Sequence, residues 1–75
     1  MGITKRHYEK TWHCEWHTKW GSSGPIGTMT VRGKDVPKYV LSGGRNELEN
    51  WLERRIEKRR GLNQGSVRIS TLWYD

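Results

Sequence analysis

The chain has 75 residues, with fourteen Lys and Arg against eight Asp and Glu for a net charge of +6, and only 32% of its residues are apolar. That length provides one domain and too little core for a deep enzymatic cleft together with a cofactor fold. No run approaches the roughly 18 apolar residues of a membrane helix, no apolar stretch follows the N-terminal MGITKR to act as a signal peptide, and the single cysteine, Cys14, has no internal disulfide partner.

The cysteine usage and the missing export signal point to a reducing, cytoplasmic setting in which the fold stands on packing alone. Five Trp and three Tyr, with no Phe, supply most of the material for that packing. Each buried Trp removes about 150–250 Å² from water, so a few of them replace many aliphatics.

Residues 1–5 read as a free arm. From Tyr8, the segment YEKTWHCEWHTKW alternates, with Tyr8, Trp12, Cys14, Trp16 and Trp20 on one face and Glu9, Thr11, His13, Glu15, His17 and Lys19 on the other. The four-residue Trp spacing also suits a helix, but there Cys14 falls far from the Trp stripe, and Thr, His, Trp and Cys are mediocre helix formers with no cap before them. A strand over 8–20 is the preferred reading. GSSGPIG at 21–27 then forms a long hairpin tip, and GTMTVRG at 27–33 a second strand. A GKD turn signal and Pro37 separate it from KYVL at 38–41, read as a short third strand, and SGG leads into the next element.

The clearest element is a helix over 46–60. Asn46 suits the N-cap and Glu49 completes a capping-box variant, while Leu48, Trp51, Leu52 and Ile56 follow at helical spacing. Gly61 suits a left-handed C′ residue, with Leu62 placed for the hydrophobic contact of a Schellman motif. After the turn-like NQGS, VRISTLWYD alternates as a last strand, Val67, Ile69, Thr71 and Trp73 against Arg68, Ser70, Leu72 and Tyr74. The expected fold is α+β: a small antiparallel sheet of order β-β-β-α-β with one helix packed across one face. Core packing is expected for Trp12, Trp16, Trp51 and Trp73, and exposure for Trp20 and Tyr74.

His7, His13, Cys14 and His17 are zinc-ligand types, but their spacing on a strand sets His13 and His17 about 13 Å apart and turns Cys14 to the opposite face. His13 and Glu15 likewise face away from the thiol that a Cys–His hydrolase would use. No metal, no other cofactor and no catalytic residue are expected, and the chain reads as a non-enzyme.

The basic helix end is the stronger signal. Residues 54–60, RRIEKRR, carry five positive charges and one negative. On a helical projection Glu49, Glu53 and Glu57 share one flank, Arg54 and Lys58 lie on the other beside Glu47, and Arg55 and Arg59 continue the Leu48 and Leu52 stripe. Repulsion along the acidic flank costs a few tenths of a kcal/mol, which hints at a binding role. Two readings stand. Cations in the last turns complement the helix dipole, with Arg55 and Arg59 laying their stems on Trp or Tyr. Or the cluster, with Lys5, Arg6, Lys10, Arg32, Lys34 and Lys38, forms a polyanion-binding surface.

The expected function is a small basic module that contacts the phosphate backbone of DNA or RNA through Lys5, Arg6, Arg54, Arg55, Lys58, Arg59 and Arg60, with Trp20 or Tyr74 stacking a base. No RNP signature, GXXG loop or helix-turn-helix is present. The alternative is a protein-interaction module whose partner is an acidic or nucleic-acid-binding host protein, anchored by Arg55, Arg59 and the Trp residues. In size, Trp content, single-domain build and lack of motifs the chain resembles phage- or mobile-element-encoded proteins that block host factors, anti-CRISPR proteins included. That resemblance is one of general character and implies an inhibitor. No membrane partner is expected, and monomer and homodimer are both open.

Overall fold

The computed structural model describes residues 9–20 and 26–75. Strand β1 (Thr11–Thr18) lies at the centre of a three-stranded sheet, with β2 (Ile26–Arg32) and β3 (Val67–Tyr74) antiparallel on either side. Between β2 and β3 run a 3-10 turn (Gly33–Asp35), a short helix α1 (Lys38–Ser42) and a long helix α2 (Arg45–Arg60). No helix among the described residues is long and apolar enough to cross a membrane.

β1 is a strand for the reason the Cys14 position suggests. Trp12, Cys14, Trp16 and Thr18 are all buried, with the intervening side chains at or near the surface, so burial has a period of two. Its expected first residue, Tyr8, and residues 21–25 of the expected hairpin tip lie outside the described residues, as does the expected arm at 1–5; Ile26 and Gly27, expected in the tip, belong to β2. The covered face packs under α2, which buries Leu48, Leu52 and Ile56 at helical spacing. The opposite face is covered by no helix among the described residues.

The α+β architecture and the helix across one face are as expected; the differences are local. Lys38–Leu41 belongs to α1 and is not a strand. Alternation would have buried only one of Val40 and Leu41; both are buried, while Tyr39 is exposed. Adjacent burial is what a single helical turn gives, and Pro37 just before it is favourable at a helix start. With α1 in place, Leu41 meets Leu48 and Leu52 in one core cluster.

α2 begins two residues earlier than the Asn46 cap implies. Gly44, at φ 90°, occupies the N-cap position without a side-chain bond, and Asn46 is exposed in the first turn. The C-terminus follows the expected design: Gly61 is left-handed at φ 68°, and the Leu62 amide donates to the Glu57 carbonyl at 2.8 Å, the long bond of a Schellman motif. Leu62 is half-buried against the core.

β3 departs from simple alternation. Glu15 is opposite Thr71 and Trp16 opposite Ile69, so Ser70 is an extra residue, a bulge whose Oγ donates to the Glu15 carbonyl at 3.1 Å. One extra residue reverses the phase. Val67 and Ile69 face the core before it and Leu72 after it, which turns Trp73 to the uncovered face, 42% exposed. Trp73 is therefore not a core residue, as its position in the alternation implies, but stacks on His13 with ring centroids 5.5 Å apart. Trp12 and Trp16 are buried as expected, and Trp51 is half-buried at the margin.

Leu52 is fully buried in the core cluster that α2 shares with the sheet and α1, so Leu52→Ala should destabilise the domain by about 3 kcal/mol. In a domain this small that is most of the available stability. Urea denaturation checks it; a loss under about 1 kcal/mol contradicts the packing described.

Candidate nucleic-acid interface

The helix carboxylates define what the rest of the site can be. β3 is an edge strand, and the amides of Val67 and Ile69 point away from β1 because Lys19 pairs with Ser66 through its amide and the pattern alternates from there. Glu57 Oε2 accepts from the Val67 amide at 3.0 Å and from the Gly65 amide at 2.9 Å, and Glu53 Oε2 accepts from the Ile69 amide at 3.2 Å. Arg54 completes the arrangement, its Nε 2.7 Å from Glu57 Oε1, its Nη2 3.1 Å from Glu57 Oε2 and 3.6 Å from Glu53 Oε1. Burial would raise the Glu57 pKa, but the Arg54 guanidinium and the amides of Val67 and Gly65 outweigh it and hold the carboxyl below its ordinary value.

The acidic flank is therefore structural and not a sign of binding. The buried arc of α2 includes Glu53 and Glu57 beside Leu52 and Ile56. Turning the helix to that side lifts Arg55 to the surface, so it does not continue the buried stripe. A signal for this was present in the repeated pairs Leu48–Glu49, Leu52–Glu53 and Ile56–Glu57, which set a carboxylate directly beside each buried aliphatic.

Of the basic residues singled out in the sequence, Arg54 is half-buried and committed to Glu57 and Glu53. Arg55, Lys58, Arg59 and Arg60 are exposed at the helix end, and none of the four makes an ion pair with a described carboxylate. Two are held by aromatic faces, Arg55 over Trp51 at 5.1 Å and Arg60 over Trp16 at 5.5 Å, which orders each guanidinium while leaving its charge unneutralised. Arg59 and Arg60 line a groove of about 470 Å³, walled on the other side by Thr28, Met29 and Thr30 of β2 and floored by Trp16 and Ile56. The sequence gives no signal for this groove, because it arises where the helix end overhangs a strand distant in the chain. Lys5 and Arg6 lie outside the described residues.

Trp20 and Tyr74 are 48% and 46% exposed. They do not form one site. Trp20 follows the end of β1, where Lys19 pairs with Ser66, whereas Tyr74 pairs with Trp12 at the far end, its ring 4.7 Å away. Eight residues of strand separate the two ends, about 26 Å. Trp20 lies at the Ser66 end of the sheet, the end that Glu57 reaches through Gly65 and Val67.

On the uncovered face His13 sits between Thr30 Oγ1 at 3.2 Å and Asp75 Oδ1 at 3.1 Å. Cys14 faces the other way, 1% exposed, and burial pushes its thiol up to about 11 against the lowering effect of a hydrogen bond from the Met29 backbone. Such a thiol is not poised as a nucleophile. Among the described residues no three His, Cys, Asp or Glu side chains are grouped to hold a metal. Comparison with protein-family models, curated proteins and solved structures returns no match.

Because the folded state holds Glu57 below its ordinary pKa, the stability it contributes is present above pH 4.5 and is lost as pH falls from there through the folded value. Glu57→Gln should lower stability at neutral pH by about 2 kcal/mol and flatten that acid-side decline. Urea titrations at pH 7 and in acid test this; an unchanged acid slope in the variant removes the role assigned to Glu57.

Proposed function

We propose that the protein is a non-catalytic nucleic-acid-binding module that takes the phosphate backbone of DNA or RNA on the end of α2, in the cytoplasm. One observation carries the reading. The carboxylates nearest the basic cluster, Glu53 and Glu57, are turned into the fold, so the outer surface of the helix end presents Arg55, Lys58, Arg59 and Arg60 with no described anionic partner. Uncompensated cations on a rigid element attract polyanions and release their counterions on contact. The groove beside Arg59 and Arg60 offers a place for a backbone to lie, and Trp20 at the same end offers a stacking face. The contacts are with phosphates, since nothing at this end resembles a base-reading element. A protein-binding role draws on a different feature, the open edge of β2.

About four phosphate contacts give a salt slope of about −2.8 to −3.6, so affinity for labelled oligonucleotides should fall about 50- to 150-fold between about 50 and 200 mM salt. Arg59→Glu with Arg60→Glu should cut the slope by about 2 in a domain that still folds by circular dichroism, at a lower melting temperature because the helix end loses its cations and the Arg60–Trp16 contact. Fluorescence anisotropy on single-stranded and duplex DNA and RNA measures both. Absence of binding at low salt, or tight binding indifferent to salt, rejects the proposal.

A further inference from the structure

The two edges of the sheet are treated differently. At the β3 edge the outward amides of Val67 and Ile69 are taken by Glu57 and Glu53. At the β2 edge the register fixes which groups face away from β1. Gly33 donates to the Lys10 carbonyl at 2.8 Å, so Val31, Met29 and Gly27 bond inward, and Thr28, Thr30 and Arg32 turn their backbone groups outward. Among the described residues no strand or side chain pairs with them. β2 carries no Pro and no Lys, the residues that commonly protect an edge, and its one charge, Arg32, is at its end. Thr28 and Thr30 are exposed, and their edge opens onto the groove that holds Arg59 and Arg60.

We infer that the β2 edge is a strand-addition site for an extended acidic segment of a partner protein. The segment pairs with the outward backbone groups of Thr28 and Thr30 and sets alternate carboxylates against Arg59 and Arg60. In this mode backbone hydrogen bonds supply affinity and every second side chain supplies selectivity. The period of two sends half of the added side chains to the helix side of the sheet, into the groove, and half to the uncovered face. Charge selects the occupant. A second copy joined through β2 brings its own Arg59 and Arg60 towards the same groove, and the chain's own first residues carry Lys5 and Arg6. Both set cation against cation, whereas an acidic segment neutralises the site. Bound there, it covers two of the four helix-end cations and competes with nucleic acid. The inference stands on the open edge and does not require the nucleic-acid reading.

The test uses the full chain and an eight-residue peptide alternating Glu with Thr, followed by amide hydrogen exchange. The Thr28 and Thr30 amides should gain protection on adding peptide. Thr28→Pro removes one outward N–H and leaves the bonds to β1 intact, because Pro is tolerated where an edge N–H faces solvent. It should weaken the peptide about tenfold or more; Arg59→Glu with Arg60→Glu should weaken the peptide at least as much and also cut the salt slope of oligonucleotide binding by about 2. If Thr28→Pro fails to fold by circular dichroism, the exchange result on the wild type decides. The inference is overturned if Thr28 and Thr30 gain no protection. It is equally overturned if a peptide with its Glu residues in one block binds as well, or if a folded Thr28→Pro binds normally. Protection already present in the free chain, released by dilution or by deleting residues 1–8, assigns the edge to a second copy or to the chain's own N-terminus and also overturns it. Loss of oligonucleotide binding alone would reject only the nucleic-acid reading.

Discussion

The Glu57 carboxylate, accepting from the backbone amides of Gly65 and Val67, is the interaction on which the rest of the structure depends. A three-stranded sheet has one inner strand and two edges, and an edge amide beside a packed helix loses water without gaining a strand partner. Glu57 and Glu53 solve this for β3 by offering oxygen where a fourth strand would. Burying two carboxylates is costly, and the Arg54 guanidinium with the strand amides offsets the cost. The same contacts fix the turn after Gly61, since residues 57 and 65 must meet. They also fix the rotation of α2 about its axis.

That rotation has an electrostatic consequence. The formal excess over residues 45–60 is modest, two charges, because four Glu oppose six basic residues. Counting charges assigns all of them to the surface. The fold instead withdraws Glu53, Glu57 and most of Arg54, and Arg45 is matched to Glu49 at 2.8 Å. What faces solvent at the helix end is then strongly cationic. The satisfaction of one sheet edge and the charge of the helix end are thus a single constraint seen from two sides. β2, which has no acidic helix flank beside it, keeps its edge groups outward.

Most of the fold is legible in the sequence because it rests on local periodicity and termination. Cys14 among the Trp residues marks β1 as a strand, and Gly61 followed by Leu62 marks the end of α2. Lys38–Leu41 is misread because four residues between Pro37 and a Ser-Gly-Gly run are too short to show a period, and Tyr and Val favour strands by composition. Trp73 is misplaced because a bulge adds one residue to β3, and no residue type announces it. The site is less legible than the fold. The cations Arg55, Lys58, Arg59 and Arg60 are evident, but which carboxylates neutralise them depends on the partner of each Glu. Those partners, at positions 65, 67 and 69, lie beyond the helix and are backbone groups, which leave no mark on residue identity.

The abundance of Trp and the excess of Arg are coupled features. A chain with so few aliphatics uses Trp at the margins of its core as well as inside it, and a marginal indole leaves one face open. Arg55 occupies the open face of the marginal Trp51, and Arg60 lies over Trp16, an indole of the core itself. A free surface Arg carries on the order of 2 kcal/mol of side-chain entropy that binding must remove. One already laid on an indole has given up part of that freedom in folding, while its charge is still unpaired. Trp51 and Trp16 therefore serve the core and the surface together: each packs in or against the core and holds a cation ready on its other side.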